Sequence, residues 1–272
     1  MDKYCVFGNP IKQSRSPFIH QSFAQTTKQI LHYDTCLVEL DGFNEAVNDF
    51  IAKDGKGANV TVPFKEQALT IADELSDRAR LAGAVNTLTF KEGKIYGDNT
   101  DGEGLVQDLL RNSVQLKDSR ILLLGAGGAA KGVILPLLAQ HPKNIIIANR
   151  TISKAEGLIR QFDSNRLTAC GFEQTAEQEF DVIINATSAS LSGKLPAISA
   201  SIIKSNTVCY DMVYGKSLTP FLVWAQLQGA NSIIDGLGML VAQAAESFDI
   251  WRGVKPAVEP VLHELRASLN TE

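Results

Sequence analysis

The sequence predicts an α/β fold in which a parallel sheet is covered by helices on both faces. Short apolar runs alternate with helical stretches along most of the chain. One such run, Ile121–Leu124, is all apolar, as in a buried parallel strand, and it passes directly into a glycine-rich turn. With 272 residues, 44% of them hydrophobic, the chain can build two domains of ordinary size, each with its own core.

The elements follow in order. Tyr4–Phe7 is a short strand ended by Gly8-Asn9-Pro10. Ser16-Pro17 opens a helix, with Ser16 expected at the N-cap and Pro17 at the first helical position. A strand over Tyr33–Leu40 and a helix over Phe43–Lys53 come next. A third strand, Ala58–Val62, leads through Pro63 into a helix from Phe64. Val85–Phe90 and Lys94–Gly97 read as a hairpin around Glu92-Gly93. Leu105–Arg111 is helical. After the strand at Ile121–Leu124 come a helix over Gly128–Ala139, a strand over Ile145–Ala148 and a helix over Ser153–Phe162. Further strands fit Asp181–Asn185, Thr207–Asp211 and Asn231–Ile234, and two helices, about Leu240–Trp251 and Val258–Leu269, end the chain. A Rossmann-like domain is expected at 102–235, preceded by a first α/β domain at 1–101.

Composition excludes several function classes. A formal charge of −4 offers no footprint for nucleic acid or an acidic membrane. No apolar stretch reaches the length of a membrane span, and Met-Asp-Lys-Tyr-Cys lacks the pattern of a secretory leader. Cys5, Cys36, Cys170 and Cys209 are scattered, with no C-x-x-C pair, and read as reduced thiols of a cytoplasmic protein. Expected partners are therefore small molecules, with no nucleic acid, no membrane and no metal. The chain is expected to act as a monomer or homodimer.

Gly125-Ala126-Gly127-Gly128-Ala129-Ala130 matches G-x-G-x-x-A between a strand and a helix. Such glycines allow a tight turn, let the backbone approach a pyrophosphate and aim a helix N-terminus at its charge. A small-residue turn for close helix–strand packing would look alike in isolation; the strand–turn–helix context favours the dinucleotide. An NAD site commonly ends its second strand with an acid that accepts from the ribose hydroxyls. Here that strand ends in Asn149-Arg150-Thr151, with Lys154 a turn later and no acid. Arg150 can pair with a 2′-phosphate and stack on adenine, and Thr151 adds a hydroxyl. Solvated charges at a helix start are the plainer alternative, but helix N-termini disfavour cations. The segment therefore points to NADP(H).

Reduction of a carbonyl also needs a proton donor. Lys65, after Asn59-Val60-Thr61-Val62-Pro63-Phe64, and Asp101, in Asp98-Asn99-Thr100-Asp101-Gly102, are candidates for a proton-passing pair. Each alone reads better as a solvated charge near a helix N-terminus. Together with Ser14-Arg15-Ser16-Pro17, Gly83-Ala84-Val85-Asn86-Thr87, Asn185-Ala186-Thr187 and Asp235-Gly236-Leu237-Gly238-Met239-Leu240-Val241-Ala242-Gln243, these motifs resemble, in order, the signatures of the shikimate dehydrogenase family.

The resemblance implies NADPH-dependent, reversible reduction of 3-dehydroshikimate to shikimate in aromatic amino-acid biosynthesis, with Lys65 and Asp101 as the catalytic pair. It implies that Ser14, Ser16 and Tyr214 take the substrate carboxylate, and that Thr61, Asn86, Asp101 and Gln243 take the ring oxygens. Thr187, Met212, Gly236 and Met239 would join the cofactor site. Residues 236–272 would return to the first domain, with the active site in the interdomain cleft. Ser190 stands where many relatives carry glycine, and Lys131 where arginine is frequent. A quinate/shikimate dehydrogenase with broader cofactor use and a non-catalytic NADP-binding sensor are the alternatives.

Overall fold

The apolar runs become strands, and the turn residues end them. In the computed structural model, which describes residues 1–230 and 232–271, the chain separates into two units. Unit 1 comprises Met1–Gly104 and Val241–Ala267; unit 2 comprises Leu105–Leu240 and the residues from Ser268 on.

The first unit contains β1 (Asp2–Gly8), α1 (Ser16–Thr26), β2 (Leu31–Leu37), α2 (Phe43–Ala52), β3 (Gly55–Val60), α3 (Lys65–Ile71), β4 (Glu74–Leu75), α4 (Asp77–Ala82), β5 (Thr87–Lys91) and β6 (Lys94–Asp98), and it includes the start of α5 (Asp101–Arg111). Its sheet runs β2-β1-β3-β5-β6-β4. β1 is parallel to β2 and β3, whereas β5 is antiparallel to β3 and β6, so this sheet is mixed rather than purely parallel. The β5–β6 turn is Glu92-Gly93 with φ of 55° and 73°; two positive values are what a tight hairpin turn matching the strand twist requires. Phe7, Phe43, Val47, Phe64 and Leu88 fill one face of the sheet, Phe7 edge-on to Phe43 at 5.8 Å.

The second unit contains β7 (Arg120–Leu124), α6 (Gly128–Ala139), β8 (Asn144–Ala148), α7 (Ile152–Ile159), β9 (Leu167–Cys170), β10 (Val182–Asn185), β11 (Val208–Asp211), α8 (Pro220–Leu227) and β12 (Ser232–Asp235). All its described strand pairs are parallel, in the order β12-β11-β10-β7-β8-β9. Read from β9 this is the 3-2-1-4-5-6 order of a doubly wound dinucleotide fold, with its switch point between β7 and β10. Leu122, Leu124, Ile183, Phe221 and Leu222 form its core. Two helices, α9 (Leu237–Arg252) and α10 (Val258–Thr271), end the chain.

Several expectations shift. Arg15, not Ser16, is the N-cap of α1, without a side-chain cap bond; Ser16 and Pro17 are already helical, because the Ser14 hydroxyl accepts the Ser16 N–H at 3.3 Å. The strand expected at Tyr33–Leu40 ends at Leu37, and that at Ala58–Val62 ends at Val60, since Pro63 lies just beyond. α5 begins at Asp101 rather than Leu105. The strand expected over Asn231–Ile234 is Ser232–Asp235, and Asn231 lies outside the described residues. β4, α4, β9 and α8 are additional elements.

Candidate active site

Lys65 is the first residue of α3 and Asp101 the first of α5, so both side chains stand at helix N-termini of unit 1. Lys65 Nζ donates to Asp101 Oδ2 at 2.5 Å, with side chains 29% and 25% exposed. The Asn99 carboxamide oxygen accepts the Asp101 N–H at 3.1 Å, turning the chain into α5. The other carboxylate oxygen, Oδ1, accepts from Asn86 Nδ2 at 2.8 Å. Asn86 is buried, and its Oδ1 accepts the Thr100 N–H at 2.9 Å. A backbone N–H can only donate, so this contact fixes the amide orientation and aims Nδ2 at Asp101. The same Nδ2 lies 3.2 Å from Gln243 Oε1, bringing α9 into the group. Lys65, Asp101, Asn86 and Gln243 therefore meet, although the chain separates them widely.

Beneath them lies a layer that sequence reasoning missed. Asn59 donates from Nδ2 to the Asn86 carbonyl at 3.1 Å and to Ser247 Oγ at 3.0 Å. Its Oδ1 accepts from Tyr33 Oη at 2.7 Å and lies 3.0 Å from His20 Nε2. Because Asn59 Oδ1 can only accept, the neutral His20 carries its proton on Nε2. Burial pushes the His20 pKa down to about 3, partly offset by the bond to Asn59, and its ring stacks on Tyr33 at 4.2 Å. Ser247 sits one helical turn after Gln243 and donates to its carbonyl at 3.1 Å, a spacing that could have revealed it.

Ser14 and Thr61 stand outside that hydrogen-bonded group, whereas the Ser16 side chain is hydrogen-bonded to that of Tyr33. Ser14 and Thr61 lie on the loops after β1 and β3, Ser16 is the first residue of α1, and those parallel strands are neighbours. Thr61 N–H donates to the Phe7 carbonyl at 2.9 Å and Asn9 N–H to the Val62 carbonyl at 3.1 Å, so the two loops are tied together. All three hydroxyl residues are half-buried.

Unit 2 holds a cavity of about 610 Å³ at its switch point, lined by Gly125–Ala129 after β7, Asn149 and Arg150 after β8, and Ala186–Ala189 after β10. Gly125 has φ 107°, and a Cβ there would press on Thr187 and the Ala186 carbonyl at 3.2–3.3 Å. At Gly127 and Gly128 a Cβ would meet nothing within 4 Å, so open space faces the N-terminus of α6, which has no side-chain cap bond. That space and those N–H groups fit a pyrophosphate. Asn149 Nδ2 donates to the Thr151 carbonyl at 2.8 Å, holding the turn before α7. Arg150, Thr151 and Lys154 are exposed, and the two cations have no carboxylate partner among the described residues. This donor set suits an anionic dinucleotide.

Met212 and Tyr214 follow β11, while Gly236 and Met239 flank the start of α9, all in unit 2. A Cβ on Gly236 would collide with the Met212 carbonyl, which explains the glycine. The Ser190 hydroxyl, in the loop after β10, donates to buried Asp211 at 2.7 Å and accepts from Asn185 at 3.3 Å. Asp211 also accepts from Thr219 Oγ1 at 2.6 Å and the Val213 N–H at 3.0 Å, joining the loops after β10 and β11. Among the described residues the cysteines are unbridged, and no three His, Cys, Asp or Glu side chains gather as a metal site.

Three family models match the chain. They are the shikimate dehydrogenase substrate binding domain over residues 6–88, shikimate/quinate 5-dehydrogenase over 107–200, and the shikimate 5′-dehydrogenase C-terminal domain over 236–266. The shikimate dehydrogenase (NADP(+)) of Colwellia psychrerythraea is 65% identical over 98% of each chain. Among solved structures, an Ael1 enzyme from Pseudomonas putida superposes with a TM-score of 0.95 at 44% identity, covering 97% of this chain and 98% of that one. The shikimate 5-dehydrogenase of Thermus thermophilus, in complex with NADP(H) and shikimate, gives 0.88 at 29% identity, covering 99% and 100%. The carboxylate–lysine pair of unit 1, the glycine turn of unit 2 and this whole-length likeness agree: the chain belongs to the shikimate dehydrogenase family.

Proposed function

We propose that the chain catalyses the reversible, NADP(H)-dependent reduction of 3-dehydroshikimate to shikimate in aromatic amino-acid biosynthesis, with Lys65 as its general acid. The observation that carries this assignment of roles is the Lys65–Asp101 contact of 2.5 Å, held from behind by Asn86. NADPH, when bound, supplies a hydride to the substrate ketone carbon. Lys65 Nζ then gives a proton to the developing alkoxide, completing the alcohol, and regains one from water. In the reverse direction the neutral amine takes the hydroxyl proton.

Asp101 has two tasks in this scheme. Its charge holds the ammonium in place, and its free lone pairs accept from a substrate hydroxyl. Asn86, Thr61 and Gln243 supply further ring contacts, while Ser14, Ser16 and Tyr214 receive the carboxylate. Asn149, Arg150, Thr151 and Lys154 hold the adenosine 2′-phosphate, and Gly125, Ala126, Gly127, Gly128 and Ala129 the pyrophosphate. Thr187, Met212, Gly236 and Met239 complete the cofactor site. The enzyme is proposed to work in the cytoplasm, as a monomer or homodimer. Among the described residues no helix is long and apolar enough to cross a membrane.

Mixing purified protein with shikimate and NADP+ or NAD+ tests the assignment through the absorbance of the reduced nicotinamide. Rapid shikimate-dependent reduction of NADP+, with far slower use of NAD+, is expected. No shikimate-dependent signal would refute the activity, and equal use of the two cofactors would refute the NADP preference.

A further inference from the structure

The loop after β10 carries a cation that the catalytic scheme leaves unused. Its inner end is pinned by Ser190, whose hydroxyl is bonded to buried Asp211 and Asn185. A short 3-10 turn, Ala189–Ser192, follows and is closed by Gly193 at φ 69°. Gly193 N–H donates to the Ser190 carbonyl at 3.2 Å and Lys194 N–H to the Ala189 carbonyl at 2.9 Å. The backbone at Lys194 is thus tied to an anchored turn, and its side chain is exposed.

Lys194 lines the same cavity as Arg150 and the glycine turn. Among the described residues no Asp or Glu is part of that lining, and neither cation has a carboxylate partner. Two unneutralised cations around one cavity repel each other, so an anionic occupant would gain from both. The pyrophosphate is served by N–H groups of the α6 turn, leaving the 2′-phosphate as the second anion of NADP(H). Phe172, Leu195 and Pro196 are apolar members of the lining, of a kind suited to a purine. Leu195 and Pro196 follow Lys194 directly, which puts the adenosine end on its side of the cavity.

We propose that Lys194 is a cofactor-binding residue that, with Arg150, sets the preference for the 2′-phosphorylated dinucleotide. The proposal rests on the reading that unit 2 holds NADP(H). It is tested by titrating wild type, Lys194→Ala, Lys194→Arg and Arg150→Ala with NADP+ and NAD+ by calorimetry. Lys194→Ala should weaken NADP+ binding about five- to tenfold, the worth of one charge-assisted contact from an exposed side chain, and leave NAD+ binding unchanged. Lys194→Arg should restore the affinity. An equal loss for both cofactors, or full retention of NADP+ affinity in Lys194→Ala, would overturn the proposal while leaving the cofactor reading intact. If wild type bound no NADP+, the cofactor reading would fall, and the proposal with it.

Discussion

The polar site of unit 1 and the cavity of unit 2 are built on opposite principles. In unit 1 the polar groups satisfy one another before any ligand arrives. Lys65 is on Asp101, Asp101 on Asn86, and Asn86 on Thr100 and Gln243, with Asn59 and Ser247 below. In unit 2 the groups are left open: glycines face empty space, and Arg150, Lys154 and Lys194 have no carboxylate partners among the described residues. A proton-transfer site must hold its groups in one geometry through the reaction, so their mutual bonds are useful preorganisation. A binding site for a large anion gains more from donors that the ligand itself completes.

The contrast can be broken most severely at Lys65. Lys65→Ala should lower kcat by roughly 10²- to 10⁴-fold, the usual worth of a general acid–base group, with NADP+ affinity retained. Steady-state kinetics beside a cofactor titration would show it; an unchanged kcat removes Lys65 from the chemistry.

The same glycine-to-alanine change should act differently in the two regions. At Gly104 a Cβ would stand 2.7 Å from both Cβ and N of Gln243, where α5 meets α9. Gly104→Ala should therefore cost about 1–3 kcal/mol of stability through overpacking, and should raise KM for shikimate by displacing Gln243. A melting temperature equal to wild type would show that α9 yields freely there.

The buried layer under the unit 1 site sharpens the comparison through pH. The unfolded chain binds a proton on His20 near 6.5, whereas the folded imidazole refuses it until about 3. Its contribution is therefore complete above about 6.5 and is lost progressively as pH falls toward 3. At pH 5 the loss should be about 2 kcal/mol relative to pH 7. Urea unfolding at both values should show this in wild type and much less in His20→Gln, which keeps a donor for Asn59. An identical pH response in the variant would assign the effect to other groups.

The smallest stability effect is expected in unit 2. At Gly127, the N-cap of α6, φ −93° and ψ −172° suit any residue, and a Cβ meets nothing. Gly127→Ala should leave the melting temperature of the ligand-free protein unchanged yet weaken NADP+ binding several-fold, because the methyl occupies space kept for the pyrophosphate. Undiminished affinity would mean that the turn does not approach the cofactor.

Much of the second unit was legible because its signals are local. Ile121–Leu124, Gly128–Ala139 and Ile145–Ala148 stand within a residue of expectation, each bounded by a turn or cap residue. Misses occurred where the signal was short or ambiguous. β9 is four residues long and β4 two, while α8 is marked only by Thr219-Pro220, a cap-and-proline pair in which Thr219 accepts the Leu222 N–H at 3.3 Å. Ser190, at a position where many relatives carry glycine, is a buried anchor for its loop through Asp211 and Asn185. Lys194 carries no sequence signal, since one lysine in a loop has no pattern around it.

By itself the sequence determined the alternation of strands and helices, the glycine turn after β7, the absence of an acid after β8 and the order of the family motifs. These are properties of neighbours along the chain, set by backbone conformation and side-chain type. Only the tertiary structure decided that Lys65 reaches Asp101, that Asn86 and Gln243 close around that pair, that His20 is held neutral by burial, and that Lys194 shares a cavity with Arg150. Those facts depend on strand order and helix packing, which bring into hydrogen-bond contact site residues and their supporting layer up to 188 positions apart through cooperative burial that no local signal encodes.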